Sequence, residues 1–377
     1  MQDADLHALL CLIAAAGPTA PRRRLLDTLA PSAAWSAGPA TWRGCGLTDA
    51  QVAAMQRPDE PRLHQAWAWL QQPGRCVLGW HDPDYPPLLR RAPHPPLALF
   101  VEGDAARLWH PAVAVVGSRS ATPNGLDHAR TFSRTLAHAG WGVASGMAAG
   151  IDTAAHEATL AAGGLTVAVL GTGPDVAYPR ANEDLRARIA AEGVVVSEHL
   201  PGTGPRKEHF PSRNRILAGL TLATLVVEAA ARSGALITAR LAAEAGREVF
   251  ALPGSIHNPM ARGCHRLIRD GASLIEDAGE IGEALAPLAA VLASDLRGRL
   301  NGPTSTGHRV PAAASQASAD DEPDYQNLWN ALGHDPTDMD QLVSRTRLTT
   351  AEVSSMLLLM ELDGRVASHH GRYFRIR

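Results

Sequence analysis

Ala112-Val113-Ala114-Val115-Val116-Gly117-Ser118-Arg119-Ser120 decides the fold. The five apolar residues that open it suit a strand and are too few for a helix, and they leave no polar side. A strand that is apolar on both sides is covered on both sides, as in parallel sheets flanked by helices. Similar short runs recur at 141–144 (WGVA), 165–170 (LTVAVL), 193–197 (GVVVS), 222–227 (LATLVV) and 247–252 (REVFAL). Helical patterns at 123–139, 150–162, 182–192 and 234–246 separate them. This alternation predicts a doubly wound, Rossmann-like, mostly parallel α/β domain over 111–290. Ligands of such sheets bind at the carboxyl ends of the strands.

Outside that core, residues 1–75 are Ala- and Leu-rich, broken at Gly17-Pro18 and Gly38-Pro39, and read as a domain of short helices. Thr48 is placed to cap one of them. Residues 76–110 carry Pro83, Pro86, Pro87, Pro93, Pro95 and Pro96 and read as an irregular extension. Residues 291–323 read as a Gly/Pro/Ser/Ala-rich linker with an acidic end. In 324–377, helices near 325–333, 338–346 and 350–363 precede a hairpin of Val366–Ser368 and Tyr373–Ile376, the pattern of a winged helix. Thr349 and Glu352 are spaced as a capping box. The third helix carries Glu352, Glu361 and Asp363 and no Lys or Arg, which favours a protein contact over duplex DNA.

The chain has 377 residues, 45% hydrophobic and 19% charged, enough for two or three domains with a sizeable core. Its net charge of −3 implies no nucleic-acid partner by itself. The distribution says more, because cations gather at 206–215 and at 262–269. Lys207 is the single lysine. Four scattered cysteines, with no C-x-x-C, support neither a zinc site nor a disulfide framework and fit a reducing cytoplasm. Residues 8–16 mimic a signal-peptide core, but Asp3 and Asp5 precede them where export requires cations. No run is long enough to span a bilayer, so no membrane partner is expected.

Strand-end loops carry the chemistry: Gly117-Ser118-Arg119-Ser120, then Ser145-Gly146 with Gly150, then Gly171-Thr172-Gly173. Glycine lets backbone approach an anion, and hydroxyls add donors. Two further loops repeat aromatic, proline, arginine and asparagine: Tyr178-Pro179-Arg180-Ala181-Asn182 and Phe210-Pro211-Ser212-Arg213-Asn214-Arg215. Each opens a helix, and Pro211 suits a first turn. A ring for a base, arginines for phosphates and free helix N–H groups describe a single-strand site, whereas the bland alternative is a solvated loop whose rings plug space below it.

Catalytic signatures are missing. The sole lysine follows Arg206, so there is no P-loop. Gly171-x-Gly173 lacks a third glycine and sits on a middle strand, against NAD. Asp152 and His156 are four apart, either an acid–base pair or helix-terminal structure. Glu228 is either a catalytic acid or the partner of a nearby Arg. Neither a cofactor nor a metal is expected.

Taken together, these motifs resemble the DNA-processing protein A family (DprA, also called Smf). The resemblance rests on Gly117-Ser118-Arg119, Ser145-Gly146-Met147-Ala148-x-Gly150-Ile151-Asp152, Tyr178-Pro179-Arg180, Phe210-Pro211-x-Arg213-Asn214-Arg215-Ile216, Val227-Glu228-Ala229, Ser233-Gly234-x-Leu236-Ile237-Thr238-Ala239 and Gly246-Arg247-Glu248-Val249-Phe250. It implies a helical N-terminal domain similar to SAM or helix-hairpin-helix modules, the Rossmann-like core and a C-terminal winged helix. It implies a non-catalytic protein that binds single-stranded DNA, protects incoming strands and loads the RecA recombinase in natural transformation, as a homodimer through the α/β domain. Family contacts carry over onto Arg119, Arg180, Phe210, Arg213, Asn214 and Arg215. Gly117, Ser118, Ser145, Gly146, Asn182 and Lys207 complete the expected site. Arg180 stands where many members have lysine, and Gly263-Cys264-His265 where many have Gly-Thr-Asn. The alternative is a nucleotide phosphoribohydrolase of the lysine-decarboxylase-like Rossmann superfamily. That superfamily's Pro-Gly-Gly-x-Gly-Thr loop is matched only by Pro253-Gly254-Ser255-Ile256.

Overall fold

The computed structural model describes residues 3–300 and, beyond them, 327–329, 331–332, 337–349, 352–353, 356–357, 360–361, 365–369 and 372–375. Side chains are described through residue 297 in the first stretch. The chain divides into two compact units, Met1–Gly302 and Pro303–Arg377.

The first unit opens with six helices: α1 (Asp3–Ala14), α2 (Thr19–Thr28), α3 (Pro31–Ser36), α4 (Gly38–Gly44), α5 (Asp49–Gln56) and α6 (Glu60–Leu70). Thr48 caps α5, accepting from Gln51 N while the Gln51 side chain accepts from Thr48 N. Next come β1 (Arg75–Gly79), α7 (Pro87–Arg90), β2 (Ala98–Gly103), β3 (Ala112–Val116), α8 (Pro123–His138), β4 (Gly142–Ser145), α9 (Ile151–Ala161), β5 (Thr166–Leu170), α10 (Glu183–Glu192) and β6 (Val194–Ser197). The unit closes with α11 (His209–Leu220), β7 (Ala223–Val226), α12 (Ala235–Glu244), β8 (Glu248–Ala251), α13 (Arg262–Arg269), β9 (Ser273–Leu274) and α14 (Ala278–Leu300). Each of the six expected core strands forms, within a residue or two of its expected bounds.

Nine strands form one sheet in the order β1-β2-β6-β5-β4-β3-β7-β8-β9. From β6 to β9 all pairs are parallel; β1–β2 and β2–β6 are antiparallel. Alternation along β3 shows why the sheet is apolar throughout. Ala114 and Val116 face a core shared with Leu217 of α11 and Ala239 of α12. Val113 and Val115 face the core of α8, α9 and α14, with Phe132, Ile151 and Ile281. Each such buried valine or leucine contributes about 1.5–3 kcal/mol. The N-terminal helices share a further core with Val77 of β1 and Phe100 of β2.

Two expectations are corrected. The proline-rich stretch 76–110 is not irregular: it holds most of β1 and all of β2, which extend the sheet at its β6 edge. All six of its prolines fall between the two strands, where they cost no ladder hydrogen bond. The stretch 291–323 does not begin as a linker, because α14 continues to Leu300 with Leu292 buried in the core. The remainder, 301–323, lies outside the described residues.

In the second unit, β10 (Thr337–Asp338), α15 (Met339–Thr346), β11 (Val366–His369) and β12 (Arg372–Arg375) form a helix against a three-stranded sheet ordered β10-β12-β11. Leu328, Leu342, Val353, Leu357 and Val366 make its core. The Thr349–Glu352 capping box is formed, with Thr349 N donating to Glu352 Oε2 at 2.8 Å and Glu352 N donating to Thr349 Oγ1 at 3.3 Å. The unit is a winged helix; parts of the helices expected at 325–333 and 350–363, and the turn at 370–371, lie outside the described residues.

Candidate nucleic-acid interface

Strand order reverses at β3. The chain runs outward through β4, β5 and β6 on one side and through β7, β8 and β9 on the other. Loops leaving β3 and β7 therefore diverge and open a crevice between them. A cleft of about 680 Å³ occupies this point, lined on one side by Gly117–Ser120 and on the other by Ala230, Ser233, Gly234 and Thr238. Lys207, Phe210, Arg213 and Asn214, from the start of α11 and the loop before it, line it as well.

Two rings stand at this cleft. Tyr178 and Phe210 have centroids 5.1 Å apart and planes tilted by 40°. Tyr178 is 43% exposed, so its face is open to a partner. The Arg119 guanidinium lies 5.8 Å from the Phe210 centroid, within cation–π range. Arg119 and Lys207 are exposed, and neither has an ion-pair partner among the described residues. The cleft thus combines stacking surface with uncompensated positive charge.

Beneath it lies a buried polar frame. Arg213 is 5% exposed, and its Nη1 donates to Gly146 O at 2.5 Å and also to Val169 O. Its Nε donates to Asn214 Oδ1 at 3.0 Å. Asp152 accepts from Gly146 N at 3.1 Å and Ala148 N at 3.3 Å. Burial raises the Asp152 carboxyl, against the pull of Arg213 and the two N–H groups, and lowers the Arg213 guanidinium to about 10. Ser145 is fully buried and donates to Val115 O at 2.7 Å. Asn182 is buried and donates to Met147 O and Thr153 Oγ1, tying the β4 loop to the turn that carries Arg180. Two glycines are required by close approach. A Cβ on Gly146 would lie 2.4 Å from the Arg213 guanidinium, and one on Gly150, at φ +83°, would lie 2.3 Å from Ser118 O.

The expected site residues therefore separate into groups. Gly117, Ser118, Arg119, Lys207, Phe210 and Asn214 come together on the cleft. Arg213 lines it only as part of the buried frame, where Ser145, Gly146 and Asn182 also lie. Arg180 is exposed two residues beyond Tyr178 and lines no part of the cleft wall. Arg215 does not share a wall with Phe210: it points across α11 and pairs through Nη2 with Glu198 Oε2. Two apart on a helix, Arg213 and Arg215 face different sides. The β7 side of the cleft, with Ser233, Gly234, Thr238 and Met260, was absent from the expected site. Its signal was the Ser233-Gly234 pair opening α12, which the sequence places beside a strand end but not beside β3.

Glu228 and His156, the two catalytic candidates, each have partners within the fold. Glu228 anchors the start of α8: its Oε1 accepts from Thr122 Oγ1 at 2.6 Å and from Asn258 Nδ2 at 3.2 Å, and its Oε2 accepts from Thr122 N at 2.9 Å. It pairs with no Arg among the described residues. His156 is fully buried, with Nδ1 2.6 Å from Thr166 Oγ1. The Thr166 hydroxyl already donates to Val143 O, so Nδ1 carries the proton and donates. Burial holds His156 down to about 3, a neutral structural imidazole that forms no pair with Asp152.

Family models match this chain twice: DNA recombination-mediator protein A over residues 76–286 and the DprA winged helix domain over 312–372. Protein Smf of Synechocystis is 40% identical over 330 residues, 81% of each chain. The solved DNA processing protein A of Streptococcus pneumoniae is 36% identical, with a TM-score of 0.66 over 73% of this chain and 96% of that one. A structure of DNA processing protein A from Helicobacter pylori, described by its single-stranded DNA binding mode, is 29% identical, with a TM-score of 0.51 over 56% of this chain and 96% of that one. With its α/β core and its winged helix both matched, the chain belongs to the DprA/Smf family.

Proposed function

We propose that this protein is a non-catalytic single-stranded-DNA-binding mediator that protects incoming strands and loads RecA onto them in natural transformation. One observation carries the DNA reading: the Tyr178–Phe210 ring pair stands beside Arg119 and Lys207, cations with no ion pair among the described residues, at the switch point of the sheet. Rings accept any base and cations accept the backbone, so the site suits a strand of any sequence. The Helicobacter pylori relative, described as binding single-stranded DNA, supports the same reading. The non-catalytic reading is supported by the state of the carboxylates: Asp152 is held by backbone N–H groups and Glu228 by Thr122 and Asn258.

Arg119, Lys207 and Phe210 are the direct contacts in this reading, with Gly117, Ser118 and Asn214 completing the wall and Arg180 meeting the strand beyond Tyr178. Arg213, Ser145, Gly146 and Asn182 position them. A homodimer through the Rossmann-like domain, a RecA contact involving the acidic sequence 350–363, and a cytoplasmic location complete the proposal. Among the described residues no helix is long and apolar enough to cross a membrane. Fluorescence anisotropy with oligo-dT and with duplex DNA tests the central claim. Strong preference for the single strand, falling steeply with salt, is expected; equal affinity for both forms would overturn it. Light scattering tests the dimer, and RecA filament formation on strands coated with a single-strand-binding protein tests the loading role.

A further inference from the structure

Across the first turns of α11 lies a second cleft, of about 330 Å³, between the N-terminal helices and the sheet. Lys207, Phe210, Arg213 and Asn214 face the first cleft, whereas Arg206, His209, Ser212 and Arg215 face this one. Arg22 and Arg62 reach it from α2 and α6, and Glu198 and His199 from the end of β6.

Its charge does not balance. Glu198 is the single carboxylate on the wall and is taken by Arg215. Arg22 is buried, with its guanidinium donating to the carbonyls of Leu12, Ile13 and Gly17. Arg62 gives one N–H to Thr203 Oγ1 at 3.0 Å, and exposed Arg206 makes no side-chain hydrogen bond or ion pair among the described residues. Four arginines thus share one carboxylate: beside the Arg215–Glu198 pair, Arg22 gives its N–H groups to carbonyls, and Arg22, Arg62 and Arg206 all lack a carboxylate partner among the described residues. Within the wall, Arg215 Nη1 and His199 Nε2 are buried with no partner. The rings of His199 and His209 are stacked at 3.9 Å and 20°. Burial first, and then the charges of His209, Arg215, Arg62 and Arg206, hold His199 down to about 3, so that buried imidazole senses a strongly positive surrounding. The first turns of α2 and α11 have no side-chain cap, which adds to the same field.

We propose that this second cleft binds the phosphate monoester of a nucleotide, free or at the end of a strand. A phosphate monoester carries about −1.5 to −2 at neutral pH and so offsets more of this excess than a carboxylate can, with exposed Arg206 and half-buried Arg62 on the wall to meet it. Guanidinium forks suit its three terminal oxygens. Because one helix turn separates the two clefts, a strand seated beside Phe210 can turn its terminal phosphate over Arg206. That second source rests on the strand reading of the first cleft; binding of a free mononucleotide does not.

Calorimetry with the full chain tests the proposal, using dTMP, thymidine, and oligo-dT carrying a 5′-phosphate, a 3′-phosphate or hydroxyl ends. Saturable dTMP binding is expected, with thymidine silent. Arg206→Ala should weaken it several-fold and Arg206→Glu at least tenfold, while Arg119→Ala leaves it unchanged. If free nucleotide is the ligand, dTMP binding persists with hydroxyl-ended oligo-dT saturating the first cleft. If the strand end is the ligand, a terminally phosphorylated oligo-dT binds more tightly than its hydroxyl-ended form, and Arg206→Ala removes the difference. Either result supports the site. The site is overturned if dTMP binds no better than thymidine and phosphorylated oligo-dT no better than its hydroxyl-ended form, or if dTMP binding is lost in Arg119→Ala and kept in Arg206→Glu. Failure of every oligo-dT to bind would remove the strand reading and leave the dTMP arm to decide this one.

Discussion

Asp152 and Arg213 hold Gly146 from its two sides: the Gly146 N–H donates to Asp152 Oδ2 at 3.1 Å, and its carbonyl accepts from Arg213 Nη1 at 2.5 Å. One residue at the end of β4 is thereby fixed to α9 and α11 at once. Arg213, one of four arginines expected at the DNA contact, is the internal brace of the loops that form the cleft. Arg213→Ala should leave the buried Gly146 and Val169 carbonyls without their donor and cost on the order of 1–3 kcal/mol. Arg213→Lys should recover little, because one ammonium cannot reproduce the guanidinium fork. Urea unfolding checks both, and a loss of DNA affinity with unchanged stability would contradict the brace.

Phe210→Ala should weaken oligo-dT binding by about 1–3 kcal/mol at any base composition. Stability should change little, since the ring is only half-buried. Anisotropy titrations with dT, dC and dA oligomers measure it; an effect confined to one base would mean base readout.

Arg119→Ala and Lys207→Ala should each lower affinity and reduce the slope of log affinity against log salt by about 0.7. Titrations at several salt concentrations give the slope. An unaltered slope would place these cations away from the strand.

Gly150→Ala forces a side chain into positive φ and against the Ser118 carbonyl. A loss of on the order of 1–3 kcal/mol is expected, together with weaker oligo-dT binding as the Gly117–Ser120 turn shifts. Denaturation and anisotropy on the same variant report the two effects.

His156 sits at about 3 in the folded chain against an ordinary 6.5. As pH falls through that interval the unfolded chain takes up the proton and the folded chain does not. Its contribution is therefore complete above about pH 6.5 and lost as pH falls toward 3, at up to about 1.4 kcal/mol per pH unit. His199 acts in the same direction. Urea midpoints between pH 4 and 7.5 should fall with acidity, and His156→Gln should flatten the curve. An unchanged slope in that variant would count against a buried neutral His156.

Strands such as β3 and β5 are legible because a short apolar run that ends at a glycine, Gly117 or Gly171, admits few other conformations. Stretch 76–110 was not, because β2 becomes a strand through antiparallel pairing with β6, a partner some ninety residues away in sequence. Pairing between distant segments leaves little mark on local composition. The linker reading failed for a related reason: Ala- and Leu-rich sequence before a Gly/Ser tract is ambiguous until Leu292 finds the α8 side of the core.

By itself, the sequence determined which residues carry rings, cations and turn glycines, and that they lie at strand ends of one parallel sheet. Residue type and short-range spacing suffice for that. Only the tertiary structure decided the role of each cation at the head of α11. Lys207 opens onto the first cleft, Arg213 turns beneath it to two carbonyls, and Arg206 and Arg215 cross to a second cleft. Four neighbouring cations look equivalent in a string of letters. The helical turn of α11, and the reversal of strand order between β3 and β7, give them different solvent and different partners.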